Sequence, residues 1–432
     1  MRSLLPMPRR LFVVLALVLV IFAALAAAAA ALVPAAQPIR VGILHALSGT
    51  MAISESAVAD ATLLAIAEIN ADGGVLGRPI EPIVVDTRSD WAYAAERAER
   101  LIAEEAAAVV FGCWTSACRR TVRPVFEAGD HLLVYPLQYE GLEESPNILY
   151  TGAAPNQQII PAVKWAMDNL GARFYLVGSD YVFPRAANAI IRDQVVSLGG
   201  QIVGEEYLLL GSTDAAGAAG RIAAAAPDVI LNTINGDTNI HFFAALRAVG
   251  IMPGTVPTLS FSIAESELPT LDIANVVGDY AAWNYFQSVE SEANRRFVAA
   301  FQAAYGPDRV TSDPIEAAYI GVYLWAQAVE TAGTPAVGVV RRALAGQSLN
   351  APGGIVSVDG ATNHLWKTVR IGQIQPDGQF AVVWSSGNPI RPLPYPLYRT
   401  PAAWAAFLDA LYQGWGGSWA NPAGAAGSGQ AR

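Results

Sequence analysis

The sequence predicts an α/β protein built as two doubly wound, Rossmann-like lobes. Three observations predict it. Short branched-apolar runs alternate with amphipathic helical runs from residue 39 onward. That rhythm restarts after about residue 153. The loops at the predicted strand ends are rich in hydroxyl, amide and aromatic side chains, and ligands bind α/β sheets at the carboxyl ends of their strands. The 432 residues leave ample room for sizeable cores, and a 53% hydrophobic, 15% charged composition excludes wholesale disorder. A net charge of −10 argues against nucleic acid, whose binding needs a basic surface.

The elements follow in order. Arg2, Arg9 and Arg10 precede an apolar run over residues 11–33 and then "PAAQPIR", the pattern of a secretory signal over 1–36, cleaved near Ala36. The run is also long enough to span a bilayer, so an uncleaved anchor is the alternative. Cleavage takes the net charge to −13, and no cysteine follows the run to carry a lipid. Export places the remainder on the periplasmic or extracellular side of the membrane. "IRVGILHAL" then reads as a strand, residues 54–70 as a helix, "DGGVLGRPI" as a turn and "EPIVVDT" as a strand. "DWAYAAERAERLIAEEA" is a helix with Asp90 as its N-cap. "AAVVFG", "TSACRRTVRPVFEAG" and "HLLVYP" continue as strand, helix and strand. A second α/β unit covers about 153–275, "DYAAWNYF" is a further strand, and 353–385 is β-rich. The Gly/Ala-rich stretch 414–432 is expected to be disordered.

If two such lobes face each other, their strand-end loops meet: "HALSGT", "CWTSA", "YPLQYEG", "GSDYVFP" and "NTINGDTN". They supply Ser54, Trp114, Ser116, Tyr135, Gln138, Tyr181, Asn235 and Asp237. Rings, hydroxyls and amides with few ionised groups suit a small neutral polar ligand. Free N–H groups where "TSACRR" opens a helix can receive a carbonyl oxygen, and Asp237 can accept from amide N–H groups. Each residue also has a structural reading: Trp114 as packing, Ser116 as a helix start, Tyr135 as a strand end and Asp237 as a turn residue.

Catalytic motifs are missing: the sequence contains no GxSxG, P-loop or GxGxxG. His45 with Cys113 is the one conceivable base–nucleophile pair, against a packed histidine. Cys113 and Cys118, the only cysteines, form either a disulfide or two buried thiols. Four scattered histidines give no metal-ligand spacing, and no cofactor is expected.

The stretches "LHALSGTMAISE", "FGCWTSACRRTVRPVFE", "YPLQYEGLEESPNILYTGAAPNQQ", "GSDYVFPRAAN", "NTINGDTN" and "AAWNYFQS" resemble type I periplasmic solute-binding proteins of the Leu/Ile/Val-binding class. Within it they look most like the urea-binding components of urea ABC transporters, kin to amide-binding proteins; "YPLQYEG" and "NTINGD" point to urea. The resemblance covers about 39–400 and implies a clamshell with three hinge crossings, near 151–155, 280–285 and 352–359. Lobe 1 is then 39–152 plus 283–350, and lobe 2 is 153–282 plus 351–400. It implies a ligand pocket at Trp114, Ser116, Tyr135, Gln138, Tyr181 and Asp237, and an ABC permease as partner. Cys118 departs from the small residue usual there. The alternatives are a short-chain amide receptor, a membrane-anchored sensor and, in another class, an amide hydrolase.

Overall fold

The computed structural model describes residues 37–424, so the expected leader, 1–36, and the last residues, 425–432, lie outside the described part. β1 (Ile39–His45), β2 (Ile80–Asp86), β3 (Val110–Gly112), β4 (Leu133–Tyr135) and β5 (Ile148–Tyr150) run parallel in the order β2-β1-β3-β4-β5. α1 (Ala52–Ala71), α2 (Trp91–Ala103) and α3 (Ser116–Ala128) connect the first four. The central β1 is buried along almost its whole length, which explains its continuous apolar sequence. Asp90 caps α2 as expected, its carboxylate accepting from the Tyr93 N–H at 3.0 Å.

The second lobe repeats the plan. α4 (Ile159–Asn169) leads into β6 (Arg173–Ser179), followed by α5 (Val182–Ser197), β7 (Gln201–Leu208), α6 (Ala216–Ala225), β8 (Val229–Thr233), α7 (Thr238–Ala248), β9 (Thr258–Ser260) and β10 (Tyr280–Trp283). These strands lie parallel in the order β7-β6-β8-β9-β10. The chain then returns to the first lobe for α8 (Glu292–Tyr305), α9 (Asp313–Ala332) and α10 (Val337–Leu344). Buried apolar clusters line both faces of each sheet, as helices on both sides require.

Both sheets carry antiparallel edges, so neither is purely parallel. β11 (Ser348–Ala351), β12 (Gly354–Asp359) and β13 (His364–Trp366) extend the first sheet; β14 (Arg370–Ile374) and β15 (Phe380–Ser385) extend the second. This corrects the expected third crossing at 352–359 and the assignment of 351–366 to lobe 2. Pro352 and Gly353 make the hairpin turn between β11 and β12, with Ala351 opposite Gly354. The chain changes lobes at 367–369 instead. There the buried Lys367 ammonium donates to the Thr151 carbonyl at 3.1 Å, and the Asn284 amide donates to the Gln157 carbonyl at 2.9 Å. The three crossings are thus bonded side by side.

The tail is a second correction. α11 (Pro401–Gly414) packs Trp404 and Leu408 into the second-lobe core, and the following segment stays ordered through 424. Trp415 and Trp419 pack on that core, the Val182 N–H donates to the Trp419 carbonyl, and the Asn421 amide donates to Asp180. Two tryptophans supply burial that the Gly/Ala composition conceals. Among the described residues no helix is long and apolar enough to cross a membrane.

Candidate functional site

In each sheet the strand order reverses between the first and third strands, β1/β3 and β6/β8. Loops diverge at such switch points and open a crevice at the strand ends. The loop after β1 (46–51) and the loop after β3 (113–115) therefore face the loops after β6 (180–181) and β8 (234–237). Contacts between lobes hold this crevice closed. The Thr50 hydroxyl donates to Asp237 at 2.6 Å, the Gln138 amide donates to the Phe261 carbonyl at 2.9 Å, and the Trp91 and Tyr181 rings lie 6.4 Å apart.

The structure brings most of the expected residues to this interface but gives several of them partners already. Tyr181, at the N-cap position of α5, is buried where the lobes meet. Ser54, in the first turn of α1, is buried and faces Glu267 of the other lobe. Gln138 reaches across the crevice; its NH2 group is fixed on Phe261, so its buried Oε1 points elsewhere and has no partner. Trp114 is packed in the first-lobe core with Met51 and Leu137, and its carbonyl accepts the Tyr135 hydroxyl at 2.6 Å. Tyr135 is thus a brace for the Trp114 loop. Ser116 opens α3, which Thr115 caps by accepting from the Cys118 N–H at 3.0 Å. The Ser116 hydroxyl donates to Glu140 and accepts from Arg119 at 3.1 Å, leaving the first N–H groups of α3 as the free donors there. Asn235 braces the second lobe, its N–H on Ser179 and its amide on the Thr233 carbonyl. Asp237 caps nothing and latches to Thr50.

Behind Ser116 stands a buried ionic network that the sequence reading missed. Arg119 bonds Glu143 at 2.8 Å and Glu140 at 3.2 Å; Arg120 bonds Glu140 at 3.1 Å; Arg123 reaches Glu143 at 3.3 Å. Burial pushes the Glu143 carboxyl up, but the three guanidiniums beside it outweigh burial and hold it at about 2. The Arg119 guanidinium also covers the Tyr135 and Tyr139 rings at 4.8 and 4.4 Å. The signal was present as "ACRR" and "YEGLEE", arginines and glutamates on two adjoining strand-end segments.

A second missed group lies after β9, in "SFSIAESE". Ser262, Glu265 and Glu267 are buried, and each keeps one polar atom with no partner. Burial pushes the Glu265 carboxyl up to about 8 and Glu267 to about 7. Gln158, whose amide also donates to Phe261, has an unpartnered Oε1. The second-lobe wall of the site therefore carries several buried oxygens without partners.

The base–nucleophile alternative does not form. His45 is paired with Glu55 at 2.9 Å, and Cys113 is joined to Cys118 in a disulfide of 2.05 Å. The disulfide closes the loop that carries Trp114 and Ser116, next to a left-handed Cys113.

A model of the periplasmic binding protein domain matches residues 39–401. Over 353 residues the chain is 24% identical to Leu/Ile/Val-binding protein homolog 6 of Brucella melitensis, covering 78% of this chain and 88% of that one. A 34% identical stretch of 113 residues matches limonene hydroxylase of Geobacillus stearothermophilus; it is 26% of this chain and spans only 21% of that protein's length. Among solved structures, the chain superposes at TM-score 0.74 on a solute-binding protein of an R. palustris ABC transporter in complex with 4-hydroxybenzoate. The two are 22% identical, over 82% of this chain and 98% of the other. A branched-chain amino acid transporter substrate-binding protein of Streptococcus pneumoniae, in complex with isoleucine, gives 0.71 at 22% identity over 82% and 100%. At these identities the superpositions speak to the fold alone. With the domain model spanning nearly the whole described chain, the protein belongs to the periplasmic binding protein domain family, and its two mixed α/β sheets have the type I fold of the solved structures.

Proposed function

We propose that this chain is an exported receptor that captures urea between its lobes and delivers it to an ABC permease. The observation that supports the reading is the set of unpartnered polar oxygens around Phe261, where both glutamine NH2 groups meet its carbonyl: Gln138 Oε1 and Gln158 Oε1 with Ser262 Oγ. Urea presents four N–H donors in one plane and a single carbonyl acceptor. The two glutamine carbonyl oxygens suit its nitrogens, and the free N–H groups opening α3 suit its oxygen. The resemblance of "YPLQYEG" and "NTINGD" to urea receptors supports the same ligand.

Size explains why closure is needed. Urea has four heavy atoms, and a ceiling of about −1.5 kcal/mol per atom allows about −6 kcal/mol, a dissociation constant in the tens of micromolar. Reaching that ceiling requires every donor to be satisfied in a dry space. The closed form then differs in surface from the open one, and a permease that reads this surface responds to the ligand.

Tryptophan fluorescence and thermal melting, each with added urea and with added acetamide, test the reading. Urea raises the melting temperature and shifts the emission, with acetamide weaker. Gln138→Leu, which removes both the bridge to Phe261 and the free acceptor, weakens urea binding by about tenfold, one charge-free hydrogen bond or slightly more. No response to urea beside a response to acetamide would transfer the site to short-chain amides.

A further inference from the structure

We infer that the crevice also takes a small planar cation rich in N–H donors, of the guanidinium or amidinium class, with Glu265 and Glu267 as its counter-charges. The inference rests on the interlobe site proposed above and extends its ligand class.

The two carboxyls are unusual in having nothing positive to face. Glu265 is 0% and Glu267 3% exposed. One oxygen of each is held: Glu265 Oε1 accepts from the Gln287 N–H at 2.7 Å, and Glu267 Oε2 accepts from the Ala264 N–H and the Ser266 hydroxyl, both at 3.0 Å. The other oxygen of each is buried without a partner. Ser54 faces Glu267 from the first lobe, which puts that carboxyl at the surface where the lobes meet.

The surrounding charges are otherwise committed. Asp313 and Glu316, near Glu265, share Lys367 at 3.9 and 3.6 Å, and Arg370 donates to the carbonyls of Asn284 and Gly353. On the first-lobe side His45 is paired with Glu55, and Arg119 and Arg120 with Glu140 and Glu143. Once both have lost their protons, the local balance is therefore negative by the two free carboxyls. A buried carboxylate without a counter-charge is costly, so it either keeps a proton or acquires a cation.

An independent observation points the same way. Gln138 Oε1, from the other lobe, and Ser262 Oγ are buried and unpartnered, and neither carries charge. Free carboxylate oxygens on the same strand-end loop as Ser262, with Gln138 bonded to its neighbour Phe261, match a flat cation whose edges are all donors, and bonds from such a cation to carboxylates are the stronger kind. Guanidinium has the plane and size of urea, with a third nitrogen in place of the carbonyl oxygen.

The test titrates the full mature chain, above neutral pH, with guanidinium chloride at millimolar levels. Parallel titrations use urea and choline chloride, a bulky cation without N–H groups. The expected result is saturable guanidinium binding, no choline signal, and a guanidinium-to-urea affinity ratio that falls by about tenfold or more in Glu267→Gln and in Glu265→Gln. Two isosteric variants guard against one failing to fold, and the wild-type titrations stand without either. Urea binding with no guanidinium signal overturns this inference and leaves the urea reading intact. Guanidinium binding without urea binding upholds it and removes the urea reading. A choline signal equal to that of guanidinium, or a ratio unchanged in both variants, overturns it as well.

Discussion

Glu265 is a residue whose surroundings depart far from water. Burial pushes its carboxyl from an ordinary 4.5 to about 8, with the Gln287 N–H opposing, and pushes Glu267 to about 7. The folded chain holds protons that the unfolded chain releases. Stability from these groups is therefore complete below about pH 4.5 and is lost as pH rises towards the folded values, at about 1.4 kcal/mol per unit per group. Asp279, raised to about 7 by burial against Arg247, acts in the same direction below that pH. His364, which burial pushes down to about 4, acts oppositely, and only between about 4 and the ordinary 6.5. We therefore predict that the ligand-free protein loses about 1 kcal/mol of unfolding stability between about pH 7 and pH 8, and that Glu265→Gln flattens this slope. Chemical denaturation at both pH values checks it; an equal slope in the variant contradicts the assignment. At this scale the sequence was half legible. Tyr181, Gln138 and Ser54 were expected at the crevice because strand periodicity locates strand ends and the segments that follow them, and the structure sets all three where the lobes meet. Glu265 and Glu267 were not, because "SIAESE" looks like a solvated turn, and nothing in a local pattern reports that a glutamate is buried by another lobe.

The loop after β3 is the element where covalent and ionic constraints combine. The Cys113–Cys118 disulfide spans five residues at the start of α3, and the arginines that follow anchor the helix to Glu140 and Glu143. Closing so short a loop restricts the unfolded chain by about 2 kcal/mol on the loop-entropy scale. Replacing both cysteines by serine should lower unfolding stability by about that amount and loosen the Trp114 loop, seen as weaker urea binding; unchanged affinity would show that α3 and the Tyr135–Trp114 bond position the loop alone. Elements were the most legible level of the sequence, and the third crossing shows where that legibility ended. "APGGIVSVDG" carries a turn signal and a strand signal, and both are realised, but whether the strand joins the first or second sheet depends on pairing with β11 and β13. Local pattern fixes a strand's existence; its neighbour is a long-range fact.

Across the whole molecule, two lobes of the same strand order close on one crevice, hinged where the three crossings are bonded together. The Thr50–Asp237 bond lies at the opening side, between the loops after β1 and β8. Asp237→Ala should favour the open form, lowering urea affinity by about tenfold with melting of the ligand-free protein little changed. Small-angle scattering would show a larger ligand-free radius of gyration in the variant; equal radii and equal affinity would mean the latch does not contribute to closure. The clamshell itself was legible from the restart of the α/β rhythm, whereas the ordered tail was not, because Trp415 and Trp419 find their burial on a distant lobe.

The most direct measurement is isothermal titration of residues 37–432 with urea, followed by acetamide. One saturable urea site is expected, with a dissociation constant in the tens of micromolar and acetamide much weaker. Silence with urea under conditions where another small solute binds would rule urea out and leave the two-lobed fold with a different ligand.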